Sequence, residues 1–199
     1  PYYGNVDRWN VSQVTDMSNL FINTNFNDDI NNWDVSNVTN MSSMFENTSF
    51  NQDISGWNIS NVTNISSMFK NSSFNQNIST WNVSNVTNMS GMFSGANNFN
   101  ADISSWDVSS VTSMFGMFNS ASSFNVDISS WNVSSVTDMD NMFNYTFLSD
   151  ENKCAIHTSF STNSNWNTNW ECPTVQIGDF AFGGIVFYVD ESGENGLVC

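Results

Sequence analysis

Aspartate recurs at one position of a repeating pattern, where closely spaced carboxylates could bind calcium. The residues are Asp29, Asp53, Asp102 and Asp127, with Asn77 at the same position between them. If repeats stack about 5 Å apart, neighbouring carboxylates repel by roughly 1 kcal/mol even in water. They then need solvent, backbone donors or a cation, and calcium prefers such oxygen-rich surroundings. The column is a candidate calcium site, although the interruption at Asn77 favours a structural role.

Serine and threonine recur with the same period and could form two hydroxyl columns on an outward face. The candidate ligand-binding residues are Ser36, Ser60, Ser84 and Ser109, together with Thr39, Thr63, Thr87 and Thr112. Regular hydroxyls on a sheet could bind a glycan, a protein strand or ice. The structural alternative is that threonine fits a pleated surface and serine fits turns.

The cysteines and the single histidine give no catalytic pattern. We predict a disulfide between Cys154 and Cys172, worth roughly 3 kcal/mol in the loop-entropy model, because an extracellular setting favours bridges over free thiols. His157 lies three residues from Cys154, but nothing near it in the sequence would orient a cysteine nucleophile. We therefore expect no catalytic residues and no cofactor apart from the candidate calcium.

These columns exist because the chain repeats itself. Six tryptophans begin successive repeats at intervals of 24, 24, 24, 25 and 25 residues, namely Trp9, Trp33, Trp57, Trp81, Trp106 and Trp131. From the tryptophan, each repeat reads W-[ND]-[VI]-S-x-V-T-x-[MI]-x-x-[ML]-F. A fixed period of this length means that each repeat buries its apolar face only by stacking on its neighbours.

The periodicity predicts a leucine-rich-repeat-like solenoid with short parallel strands and one helical turn per repeat. Met41, Met44 and Phe45 have the i, i+3, i+4 spacing of one helical turn. Ile30, Trp33 and Val35 match the apolar spacing of a leucine-rich-repeat strand. We expect the solenoid to be monomeric.

The domain organisation follows from where this pattern starts and stops. Residues 1–8 are a lead-in or the end of a preceding repeat, and residues 9–146 hold the six repeats. Residues 147–172 begin with acidic residues behind a serine, a helix start, and we predict that they form a C-terminal cap with Trp166 and Trp170 over the last repeat. Residues 173–199 read as the start of a further, truncated domain.

The charge balance excludes several partners. The chain has 19 acidic residues, three basic residues and a net charge of −16, so it lacks the cations that contact phosphate, and we expect no nucleic-acid partner. Only 11% of residues are charged, and the surface relies on asparagine, serine and threonine, which suits an extracellular protein. No apolar run is long enough to cross a bilayer.

The whole repeat resembles that of the BspA-like leucine-rich-repeat surface proteins of bacteria. The match is seen in F-N-Q-D-I-S-G-W-N-I-S-N-V-T-N-I-S-S-M-F at residues 50–69. The sequence G-D-F-A-F-G-G-I-V-F at residues 178–187 is similar to the opening of a domain in bacterial adhesin-like proteins. The resemblance implies a secreted or surface-attached protein, some of whose relatives are linked to adhesion.

We therefore expect a non-catalytic surface protein that presents an extended face to an extracellular protein or glycan. The alternative is a spacer that holds a following domain away from the cell. Ice binding is a further alternative, but it needs a wide flat array, whereas a leucine-rich arc is curved.

Calcium binding to the aspartate column predicts a higher melting temperature in excess calcium than in chelator, because a ligand that binds only the folded state stabilises it. Thermal unfolding followed by circular dichroism in both conditions is the test. Equal melting temperatures would exclude the site.

Overall fold

A computed structural model describes residues 6–172, 180–181, 184–189 and 196–198. The regular elements are a short 3-10 helix Val6–Arg8, the helix α1 Asp150–Phe160, and strands β1 Phe180–Ala181, β2 Gly184–Val189 and β3 Gly196–Val198. The strands form an antiparallel sheet in the order β1-β2-β3. Residues 9–146 form six stacked repeats, here called the repeat stack.

The predicted leucine-rich-repeat-like fold is wrong, because residues 9–146 contain neither of its elements. No strand lies in this range, and adjacent repeats share single isolated parallel bridges instead, such as Asn40 with Asn64 and Asn64 with Asn88. The segment from Ile30 to Val35, predicted as a strand, consists of turn and irregular backbone. Each repeat is therefore a coil of turns.

Two consecutive tight turns replace the predicted helical turn. In the second repeat, the Met44 N–H donates to the Met41 carbonyl at 3.3 Å, and the Glu46 N–H donates to the Ser43 carbonyl at 3.2 Å. Ser43 and Asn47 have φ of 54° and 56°, in the left-handed region that an α-helix does not use. The spacing of apolar residues is that of a helix, but the backbone is not.

Left-handed residues occupy the same two positions in all six repeats. They are Asn19, Ser43, Ser67, Gly91, Gly116 and Asn141 in one column, and Asn23, Asn47, Asn71, Gly95, Ser120 and Tyr145 in the other. Glycine and asparagine tolerate this conformation better than other residues do. They fill eight of these twelve positions, and this enrichment is the sequence signal that distinguishes the turns from a helix.

The turns direct alternate backbone N–H groups toward the next repeat. In the third repeat, Ser67 donates to Ser90 at 2.8 Å, Phe69 to Met92 at 2.9 Å and Asn71 to Ser94 at 2.8 Å. The equivalent bonds recur along the stack. Successive repeats are thus joined by a ladder of backbone bonds without forming a sheet.

Aromatic side chains fill the core in two parallel columns. Within one repeat, the Phe45 and Phe50 rings stack with centroids 3.9 Å apart. Between repeats, the Phe45 ring lies 5.6 Å from Phe69, and Phe50 lies 6.2 Å from Phe74. All four are fully buried, so removing one such ring would cost about 3–5 kcal/mol.

From Trp33 on, the repeated tryptophans are buried and use their one polar group between layers, whereas Trp9 at the start of the stack is 41% exposed. Trp57 Nε1 donates to the carbonyl of Ile30, which lies just before Trp33, at 3.2 Å. Trp81 and Trp106 make the same bond to Ile54 and Ile78, at 3.2 and 3.1 Å. Because a buried indole N–H needs an acceptor, this bond fixes the distance and register of adjacent layers.

Residues 147–172 cover the last repeat. The side chain of Ser149 caps α1 by accepting from the Asn152 N–H. The Trp166 and Trp170 rings lie 6.1 and 5.4 Å from the Phe143 ring at the end of the core. Buried Asn163 donates to the Val133 carbonyl at 2.7 Å and to the Val136 carbonyl at 2.9 Å.

The structure contains the predicted disulfide between Cys154 and Cys172, with their Cα atoms 5.4 Å apart. It ties α1 to the segment that carries the two cap tryptophans. His157 serves this packing, because its Nδ1 accepts from Trp166 Nε1 at 3.0 Å. The prediction that residues 173–199 begin a further domain falls mostly outside the described residues and stays a prediction.

Substitution of Ser43 by glycine and by alanine distinguishes the turn from the helix. In the turn, Ser43→Gly removes the steric cost that a Cβ causes in the left-handed conformation, so it should stabilise the protein by up to about 1 kcal/mol. Ser43→Ala keeps the Cβ and should not stabilise the protein. A helix would reverse the order, because alanine is the best helix former and glycine among the poorest. Urea denaturation of the two variants measures the difference. A more stable alanine variant would contradict the turn.

Candidate functional site: the outer columns of the repeat stack

The predicted threonine column faces outward, but its hydroxyl protons already form hydrogen bonds to the neighbouring repeat. Thr63 donates to the Thr39 carbonyl twice, from its N–H at 2.9 Å and from Oγ1 at 3.2 Å. The same pair of bonds joins Thr39 to Thr15, Thr87 to Thr63, Thr112 to Thr87 and Thr137 to Thr112. The exposed oxygens therefore keep lone pairs for a ligand.

The predicted serine column is half-buried and supports local turns. Ser36, Ser84 and Ser109 donate through Oγ to the acidic or amide side chain two residues earlier, at 2.6, 2.7 and 2.6 Å. Ser60 makes the equivalent bond only through its backbone N–H, to Asn58 at 3.2 Å. Neither hydroxyl column is a row of free donors, and the regularity of both follows from the backbone that they support.

Asparagine side chains add a further ladder that holds the coils together. Asn75 N–H donates to Asn51 Oδ1 at 2.9 Å, and Asn100 N–H donates to Asn75 Oδ1 at 2.8 Å. Asn61 Nδ2 donates to the carbonyl of Ser36 at 2.7 Å. The asparagine content of the chain is thus partly explained by backbone groups that need partners.

The aspartate column also forms turns. Asp53, Asp102 and Asp127 each accept from the N–H of the serine two residues on, at 2.9 Å. Asp29 does the same with Asn31, and Asn77 replaces the carboxylate with an amide oxygen that accepts from Ser79 at 3.0 Å. Backbone donors rather than a second carboxylate face these oxygens. Calcium binding stays a prediction of the sequence.

Potential metal ligands are not brought together within residues 6–172. No group of three or more histidine, cysteine, aspartate or glutamate side chains in the described part of the chain is placed to hold an ion. The four aspartates that the sequence predicts as ligands are exposed and lie one to each layer.

The hydrogen bonds that close these turns lower the pKa of several carboxyls. The pKa of Asp53 and of Asp102 lies below the usual range, first because each carboxylate accepts a backbone bond from the serine two residues on. The pKa of Asp34 and of Asp107 is lowered first by the hydroxyl of Ser36 and of Ser109. Asp16 is lowered first by the backbone bond from Ser18.

A groove lies on the outer side of the left-handed turns, a surface for which the sequence predicted no binding residues. It spans the third to fifth repeats and has a volume of about 330 Å³. Phe115 stands beside it and is 46% exposed, and Gly91 and Gly116 lie along it. The sequence feature that could have indicated this groove is Phe115. It occupies a position that is serine in the four preceding repeats, at Ser18, Ser42, Ser66 and Ser90.

Comparison with family models gives two matches to one family, described as a Mycoplasma protein of unknown function, DUF285, over residues 2–84 and 71–169. The chain belongs to the DUF285 family. Together the two matches take in all six repeats of this DUF285 protein, and the second extends into the segment that covers the last repeat. No curated protein and no solved structure matches the chain.

The family match shows that the chain is a repeat protein. This assignment is less specific than the predicted BspA-like leucine-rich-repeat family. In the described residues of this DUF285 protein, no helix is long and apolar enough to cross a membrane.

The lowered aspartate pKa values predict a loss of stability in acid. A carboxyl whose pKa falls on folding stabilises the protein above its unfolded pKa of about 3.9, and this contribution disappears as the pH drops through the folded pKa. Asparagine should replace these carboxylates without breaking the turns, since Asn58 and Asn77 accept the same bonds.

The test compares wild-type protein with a variant carrying Asp34→Asn, Asp53→Asn, Asp102→Asn and Asp107→Asn. Urea denaturation from about pH 2 to pH 7 should show a smaller loss of unfolding free energy on acidification in the variant. Identical pH profiles would mean that the turn bonds do not favour the ionised carboxylates.

Proposed function

We propose that this DUF285 protein is a non-catalytic, extracellular surface protein of the BspA-like kind, which binds an extracellular protein or glycan through the outer columns of its repeat stack. The resemblance of its repeat to those surface proteins supports the setting. The family match supports the repeat character and leaves the ligand open.

The observation that carries this proposal is the division of each repeat into a constant interior and an exterior that differs between layers. The buried columns repeat the same few residue types, with tryptophan, valine or isoleucine, methionine and phenylalanine in every layer from the second repeat on. On the outer side of the left-handed turns, the residues equivalent to Glu46 are Ile22, Lys70, Ser94, Asn119 and Asn144. A rigid scaffold with a changing exterior is how repeat proteins present binding surfaces.

The charges narrow the class of partner. Two of the three basic side chains are already in ion pairs, Lys70 with Glu46 at 3.0 Å and Lys153 with Asp150 at 3.3 Å. With a net charge of −16, the protein repels polyanions. The partner is therefore a neutral or basic molecule.

The candidate ligand contacts include the hydroxyl columns that the sequence singled out. Because the threonine and serine protons mostly bond within the stack, these side chains offer acceptors rather than donors to a partner. The same observation favours the spacer as the second candidate function, since a surface whose donors are satisfied internally has less to offer a ligand.

An array of neutral and acidic glycans and extracellular-matrix proteins, probed with the full chain, tests the proposal. We expect saturable binding to at least one neutral or basic member, with and without calcium. A variant with Thr63→Val and Thr87→Val keeps the side-chain shape and removes the hydroxyls, so it reports whether the threonine column takes part. Absence of binding across the array would contradict the proposal and favour the spacer.

A further inference from the structure

On the outer side of the left-handed turns, one column of serines is interrupted by an aromatic residue. The four columns on this side, here called the turn face, are those of Ser42, Ser43, Glu46 and Asn47. In the column of Ser42, the fifth repeat has Phe115 where the first four have serine. An aromatic ring that is 46% exposed gains little from folding, so the packing of the repeat does not account for this residue.

Beside Phe115, the residues become smaller. The column of Ser43 contains glycine only in the fourth and fifth repeats, at Gly91 and Gly116. A Cβ added at Gly116 would come no closer than 3.8 Å to another atom, so the space above this residue is open. A protruding ring and two adjacent glycines together form the groove of about 330 Å³, at the lower end of the volumes found for small-molecule sites.

Polar side chains of different kinds line the groove. Ser67, Ser94 and Asn119 face it, and within the described residues the hydroxyls of Ser67 and Ser94 form no hydrogen bond. Asn119 accepts a bond from Ser120 through Oδ1 at 2.9 Å, which leaves its Nδ2 donors. The groove therefore offers hydroxyls and an amide beside the face of one aromatic ring.

The charges of the groove exclude an anionic ligand. Its one cation, Lys70, is paired with Glu46 at 3.0 Å, and the rest of the chain is strongly acidic. A sialylated or sulfated sugar would be repelled.

The backbone of the groove excludes an added peptide strand. The N–H groups of Ser67, Gly91 and Gly116 donate to Ser90, Phe115 and Asp140 in the following layers at 2.8, 2.8 and 2.9 Å. The turns therefore leave no row of free N–H groups here for strand addition, which depends on main-chain bonds. The ligand must therefore be recognised through side chains.

We propose that this groove binds one or two residues of a neutral glycan, with a sugar ring against Phe115 and its hydroxyls bonded to Ser67, Ser94 and Asn119. An aromatic face beside a few polar groups suits a molecule with an apolar ring face and hydroxyls at its edge. The inference rests on the proposed function and gives it a site and a ligand class.

Two variants alter the groove with residues that the same columns already contain. Phe115→Ser removes the ring and restores the serine of the preceding repeats. Gly116→Asn fills the groove with the residue of the first and sixth repeats, where Asn19 and Asn141 have φ of 59° and 58°. The matched control is Phe147→Ser, which removes a phenylalanine that is 77% exposed and is not in the groove. Unchanged melting temperatures confirm that all three variants fold.

The full chain and the three variants are titrated with lactose, maltose, cellobiose and diacetylchitobiose by ligand-observed NMR, and tested against the array of matrix proteins. We expect saturable binding of at least one of these glycans, with affinity lowered about tenfold or more by Phe115→Ser and by Gly116→Asn and unchanged by Phe147→Ser.

Glycan binding that survives both groove variants would overturn the assignment of the site and leave the proposed function standing. Binding of a matrix protein without any of the four glycans would overturn the ligand class in the same way. Binding of neither would overturn both the inference and the proposed function.

Discussion

The left-handed backbone at two positions of each repeat determines how the rest of the molecule is built. In the second repeat these positions are Ser43 and Asn47, with φ of 54° and 56°. A helix would use each N–H within its own repeat, four residues back. Because these residues are left-handed, alternate N–H groups point along the stack. The N–H groups of Ser43 and Asn47 donate to carbonyls of the next layer, each at 2.8 Å.

Once the layers are joined in this way, identical side chains must lie above one another. Phenylalanine rings stack in columns, and each indole N–H from Trp33 on reaches a carbonyl of the layer before. The same register aligns the threonines, so that one carbonyl accepts both the N–H and the hydroxyl of the next residue in the column. Core and surface thus follow from one backbone constraint, and exposed side chains that take no part in these bonds, such as that of Phe115, can differ between layers.

The sequence allowed the core columns, the disulfide and the packing of the cap tryptophans to be predicted, because each depends on residue type and spacing. The fold class could not be predicted correctly, since Met41, Met44 and Phe45 have a spacing that fits a helical turn and two tight turns equally well. The deciding information lay in Gly91, Gly116 and their asparagine equivalents. The groove was missed because Phe115 falls at a position that the repeat pattern leaves unspecified.

The most direct test of this account is an NMR measurement of scalar couplings through hydrogen bonds in the isotope-labelled protein. Stacked layers predict couplings from the Ser67 amide nitrogen to the Ser90 carbonyl carbon and from Phe69 to Met92, because these atoms share bonds of 2.8 and 2.9 Å. Couplings from the same amides to Thr63 and Ile65, four residues earlier, would show a helix and would contradict the account.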